Sequence, residues 1–210
     1  MTELPNEIVN SAPVNYDRNI LRSIQVHSGF LSAFQTLQID LLTFIKDRSK
    51  GRKLYLCGHS LGGALAVLNF LFLLLQPRPP SIHGIYTLGQ PKVGNAALSE
   101  FFSNYGQCKI QRVCNRGDIV PFVPPKHPYG FKACGTLVFI SGSGDLLYGS
   151  SERELKALRL QRIARLKHGV NDHRIWTYVR IPSSRSAVFP KYSHVFLIGN
   201  IAKTTFRGAR

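Results

Sequence analysis

Acidic side chains are scarce: 11 Asp and Glu stand against 27 Lys and Arg, which leaves a formal charge of +16. That shortage excludes a chain repelled by anions and favours contact with a membrane surface, an acidic lipid head group or nucleic acid. Cysteine occurs four times, at Cys57, Cys108, Cys114 and Cys134, with no C-x-x-C pair. Three of the four sit in apolar runs, so they read as buried free thiols in a reducing compartment. The start, Met1-Thr2-Glu3-Leu4-Pro5-Asn6-Glu7, lacks the basic and apolar regions of a secretory signal. Residues 54–75 come nearest to a membrane-spanning run, but Gly58, His59, Ser60, Gly62, Gly63 and Asn69 interrupt them. The expected location is therefore the cytoplasm or the periphery of a membrane. There is no internal repeat, and no glycine before Gly29.

What is present is an ordinary apolar content of 44% over 210 residues, enough for one core. Phe30, Phe34, Leu37, Leu41 and Ile45 recur at three and four, which predicts a helix ending near Lys50-Gly51. Residues 53–57 suit a short strand, and 63–75, apolar all round, a core helix that Pro77-Arg78-Pro79-Pro80 stops. Strands are expected over 84–88 and 109–114 with a helix over 95–102 between them, then a strand over 136–140 and a Gly-Ser-rich loop over 141–149. An amphipathic helix over 152–167 carries Arg153, Lys156, Arg159, Arg162 and Arg165 at three-residue spacing. This alternation predicts an α/β fold, a mainly parallel sheet flanked by helices. It divides the chain into a polar, partly ordered segment 1–25, a core over 26–181 and a basic extension over 182–210.

Gly58-His59-Ser60-Leu61-Gly62-Gly63 fits G-x-S-x-G between a predicted strand and a predicted helix. A strand turning sharply into a helix strains the serine backbone, and glycine at the flanking positions lets the chain pass closely. The hydroxyl is then exposed at the carboxyl edge of the sheet, beside the free N–H groups of a helix start. These features make Ser60 the candidate nucleophile, with the backbone N–H of Leu61 as an oxyanion donor.

A serine nucleophile needs a base, and the base an orienting acid. Asp118 follows the strand over 109–114 in Asn115-Arg116-Gly117-Asp118-Ile119-Val120-Pro121 and is the candidate acid. Asp145, Glu152 and Glu154 sit in a glycine-rich loop or on the basic helix, where pairing with cations suffices. Among later histidines, His127 follows too soon and His168 lies where it would cap a helix. His173, in the polar Asn171-Asp172-His173-Arg174 just before Ile175-Trp176-Thr177-Tyr178-Val179, is the preferred general base; His194, in an apolar run, is the second candidate.

Several stretches together resemble the class 3 lipases, the fungal-type triacylglycerol lipase family: Val26-His27-Ser28-Gly29-Phe30, the Ser60 turn, Thr87-Leu88-Gly89-Gln90-Pro91-Lys92-Val93-Gly94-Asn95, Arg112-Val113-Cys114-Asn115 leading to Asp118-Ile119-Val120-Pro121, and Asp172-His173. The resemblance implies an α/β-hydrolase acting on acylglycerol and related lipid esters, with no metal or organic cofactor. It assigns Ser60, Asp118 and His173 the roles just described. Members of this family carry an upstream strand ending in a Phe-Arg-Gly-Thr-like motif whose last residue helps to bind the oxyanion. Nothing before Gly29 matches it, so the resemblance implies an N-terminally shortened member in which the second oxyanion donor is not identified. Asp17 and Asn19 would follow the missing strand. Loss of one such donor costs about 10²- to 10³-fold in rate.

The basic stripe over 152–167 suits either a solvated helix face or a helix lying on an anionic bilayer with Leu155, Leu158 and Ile163 turned inward. Nucleic acid is disfavoured as a partner, because no aromatic stacking platform is interleaved with the cations. Two functions follow: a lipid ester hydrolase, or a lipase-like lipid- or membrane-binding protein with little or no turnover.

Overall fold

The computed structural model describes residues 1–49, 52–105, 110–141, 143–149, 169–179 and 195–197. In chain order these form β1 (Thr2–Glu3), α1 (Asn6–Ser11), α2 (Arg18–Ser23), β2 (Gln25–Val26), α3 (Ser28–Gln35), α4 (Gln38–Arg48), β3 (Leu54–His59) and α5 (Leu61–Leu74). There follow β4 (Ile82–Leu88), α6 (Ala96–Tyr105), β5 (Ile110–Asn115), β6 (Thr136–Ile140), β7 (Leu146–Tyr148), α7 (Gly169–Asp172), α8 (Ile175–Val179) and β8 (Val195–Leu197). The main sheet runs β7-β6-β5-β4-β3-β8, parallel throughout except for β7 against β6. Strands β1 and β2 form a separate antiparallel pair.

Helix α5 joins β3 to β4 and is buried over residues 62–74, which is why it has no polar face. Its flanking strands are short and apolar, as two-sided burial in a parallel sheet requires. The carboxyl ends of β3, β4 and β5 therefore open on one edge, and the residues expected to be functional follow those ends.

The structure departs from the sequence reading in several places. The single helix expected from Phe30 is two helices, broken at Thr36-Leu37. The Thr36 hydroxyl donates to the Ala33 carbonyl at 2.8 Å, and Leu37 N–H bonds Phe34 in a tightened i−3 turn; both compete with the α-helical ladder. The glycine-rich loop 141–149 contains β7, closed by Ser141 N–H to Asp145 C=O at 2.9 Å with Gly144 at φ +86°. Residues 1–25, polar and without period in sequence, place Leu4, Val9, Tyr16, Leu21 and Ile24 in the main core, with Tyr16 against Phe101 and Tyr105. Asp17 caps α2 by accepting from Asn19 N–H at 2.7 Å. Part of the C-terminal extension, β8, joins the main sheet beside β3. The basic helix expected over 152–167 lies outside the described residues, as do Cys108, Glu152, Glu154, His168 and His194.

Candidate active site

Ser60 occupies the turn between β3 and α5 with φ 54° and ψ −125°, a region that side-chain-bearing residues rarely enter. Its neighbours explain how the turn closes. A Cβ on Gly58 would strike the Gly62 carbonyl and stand 2.6 Å from Gly63 N, while one on Gly63 would meet Gln90 Cβ at 3.0 Å. Ser60 N–H donates to the Leu88 carbonyl of β4 at 2.9 Å, tying the turn to the sheet. Leu61 opens α5, so its N–H is among the donors that a helix start leaves without an intrahelical acceptor.

Ser60 Oγ lies 2.8 Å from His173 Nε2, and His173 Nδ1 lies 2.8 Å from Asp118 Oδ2. A carboxylate only accepts, so Nδ1 carries the proton and Nε2 is left to accept from the serine hydroxyl. Asp118 is fully buried, whereas the His173 side chain keeps 20% of its surface exposed. The buried carboxylate is satisfied on both oxygens: Oδ1 accepts from Val120 N–H at 2.8 Å, and Oδ2 accepts from the Tyr178 hydroxyl as well as from His173. Burial, and then the proximity of Cys114 and Asp118, holds the Tyr178 hydroxyl well above the usual phenol range, so it remains a donor. The Tyr178 oxygen in turn accepts from Asn115 N–H at 3.2 Å.

The turn that carries His173 is fastened from three sides. His59 Nε2 donates to the His173 carbonyl at 2.7 Å, and the two imidazoles face each other at 4.7 Å between centroids. Burial lowers the His59 pKa below the ordinary histidine value, which keeps that ring neutral. Asn115 Nδ2 donates to the Asp172 carbonyl and to Thr177 Oγ1, each at 3.0 Å, and Gly117 N–H donates to Asp172 Oδ2 at 3.1 Å. From below, Gly89 closes the site at φ +56°: a Cβ there would stand 2.8 Å from Asp118 Oδ2 and 2.9 Å from His173 Nδ1.

Of the residues singled out in sequence, Ser60, Asp118 and His173 are thus brought together. Asp145 instead accepts from Ser143 in the β6–β7 turn, and His127 is exposed. Sequence reasoning missed Tyr178, His59, Asn115 and Gly89. His59 and Gly89 lay inside quoted motifs, but Tyr178 stood in an apolar run with nothing to mark its hydroxyl. Among the described residues, no group of three or more His, Cys, Asp or Glu is placed to hold a metal ion, and no helix is long and apolar enough to cross a membrane.

Residues 2–127 match the family model described as Lipase (class 3). The chain belongs to the class 3 lipase family. The match includes the segment before residue 26 and takes in Ser60 and Asp118, but stops short of His173. Among curated relatives of this family, the Rhizopus niveus lipase is 34% identical over 146 residues, or 67% of the chain, and the Rhizomucor miehei lipase is 34% identical over 134 residues. The chain spans 37% and 36% of their respective lengths. Solved lipase structures align similarly. Lipase II of Rhizopus niveus superposes with a TM-score of 0.58 at 30% identity, covering 72% of this chain and 59% of that one. The lipase of Rhizopus microsporus var. chinensis gives 0.62 at 27% identity, covering 75% and 56%. The fold is accordingly an α/β-hydrolase, its mainly parallel sheet flanked by helices.

Proposed function

We propose that this chain is a serine ester hydrolase acting on acyl esters of glycerolipids. The observation that carries the reading is the unbroken line of hydrogen bonds from Ser60 Oγ through His173 to the buried carboxylate of Asp118. Ser60 Oγ attacks the acyl carbonyl carbon as His173 Nε2 takes the hydroxyl proton, and Asp118 stabilises the imidazolium that results. The Leu61 N–H stabilises the negative charge that develops on the carbonyl oxygen. The imidazolium then protonates the departing alcohol, leaving an acyl-enzyme. A water deprotonated by His173 cleaves that ester, releasing the fatty acid and restoring Ser60.

Relatives in the family support a lipid ester substrate: one, 30% identical over 129 residues, is a secreted mono- and diacylglycerol lipase of Malassezia globosa. The surface agrees with an apolar substrate. Ile119, next to Asp118, is 50% exposed, and Trp176, three residues after His173, is 68% exposed. Apolar side chains exposed beside the acid and on the helix that follows the base suit contact with acyl chains or a lipid surface. The excess positive charge supports docking on an anionic membrane, and the buried thiols Cys57, Cys114 and Cys134, none of them in a disulfide, support a reducing compartment.

The test is labelling with an alkyl fluorophosphonate together with turnover of short-chain activated esters. The expected result is one labelled serine, lost in Ser60→Ala, and turnover lost in His173→Ala. Folded protein that neither labels nor turns over would leave only a lipid-binding role.

A further inference from the structure

A second site lies on the other face of the sheet from Tyr178. Side chains alternate along β5, so Val113 packs with Val138, Ile140 and Tyr178, while Cys114 packs with Leu137 and Phe139 on the opposite side. Arg112 shares the Cys114 side. It is only 5% exposed, and its Nε has no hydrogen-bond partner. Arg112 borders a cavity of about 470 Å³ whose wall also includes Lys126, Phe131, Lys132, Thr136 and Leu137. Among the described residues, no acidic side chain lines this cavity and no carboxylate pairs with Arg112.

Leaving a buried guanidinium nitrogen such as Arg112 Nε without a partner is unfavourable, and a folded protein ordinarily offsets such a deficit with a carboxylate or a bound anion. The planar fork of donors on Arg matches a phosphate or carboxylate in two-pronged fashion. Lys126 and Lys132 are exposed, which puts two mobile cations at the cavity beside one fixed, buried one. Three cations, with no acid among the described lining residues, suit a doubly charged group better than a single carboxylate. The cavity exceeds the size of a bare ion, and Phe131 and Leu137 add an apolar wall for an organic substituent.

We propose that this cavity binds a phosphate group, either of a soluble phosphomonoester or of a phospholipid head group. The site is separate from Ser60 and does not depend on the hydrolase reading.

Calorimetric titration with inorganic phosphate and glycerol 3-phosphate, and sedimentation with phosphatidic acid vesicles, test it on the full chain. The expected result is saturable binding that the double variant Lys126→Ala/Lys132→Ala weakens by about tenfold or more and that Arg112→Gln abolishes. The double variant Lys46→Ala/Arg48→Ala, which removes the same charge from α4, is expected to bind as wild type. Binding of soluble phosphates with this pattern identifies a soluble ligand. Binding of vesicles alone, with the same pattern, identifies a head group. No saturable binding, or binding weakened equally by both double variants, overturns the proposal. The exposed lysine pair decides the matter even if Arg112→Gln does not fold.

Discussion

The Tyr178 hydroxyl and His173 Nδ1–H converge on the same oxygen of Asp118, so one buried carboxylate orients the imidazole while a phenol helps to hold the carboxylate. Tyr178 has no bond to Ser60 and reaches the imidazole through Asp118, while its oxygen also accepts from Asn115 N–H. The Tyr178→Phe variant keeps the ring and loses the donor. It is expected to lose about 1–3 kcal/mol of stability and to lower kcat with little change in KM. Thermal melts paired with ester kinetics check this, since a merely structural role would shift the melt and leave kcat alone.

Gly89 is held at φ +56° with no room for a side chain between Asp118 and His173. Gly89→Ala is expected to strain the backbone by about 1–2 kcal/mol and to push the carboxylate away from the imidazole. Fluorophosphonate labelling should slow at least about tenfold, a rise of some 1.4 kcal/mol in the barrier, while circular dichroism stays native. Unchanged labelling would count against the close packing described.

Asp118→Asn removes the charge that the imidazolium needs and lets the ring take the wrong tautomer. A like change in a serine protease triad costs about 10⁴-fold in kcat, and a loss of that order is expected here. Stability should fall as well, because the amide nitrogen faces a donor in either orientation, the Val120 N–H at the Oδ1 position or Tyr178 and His173 at the Oδ2 position.

The pH dependence of folding should carry a signature of His59. Its folded pKa lies below the ordinary 6.5 because burial opposes the charged form. As pH falls below the unfolded value, the unfolded chain binds a proton that the native chain does not, so stability decreases with falling pH until the lowered folded pKa is passed. His59→Asn is expected to reduce that slope below pH 6.5. Identical slopes in melts of the two proteins across the acidic range would argue against a neutral buried His59.

The amino-acid sequence by itself determined the Ser60 turn, because the requirement is local. Gly58, Gly62 and Gly63 lie within three residues of the serine, and their lack of side chains is what lets β3 fold back into α5. It likewise marked α5 by its continuous apolar run and Asp118 by the strand and turn before it. Residues 1–25 were harder to read: Leu4, Val9, Tyr16, Leu21 and Ile24 are too widely spaced to show a period, yet all five are buried in the main core. Only the tertiary structure decided which distant groups meet. The Tyr178–Asp118 bond spans 60 residues, the His59–His173 bond 114, and Arg112 Nε is left without a hydrogen-bond partner on its face of the sheet. Backbone sterics act between neighbours and can be read along a chain. Hydrogen bonds between remote side chains depend on strand order and burial, which arise only once the sheet has assembled.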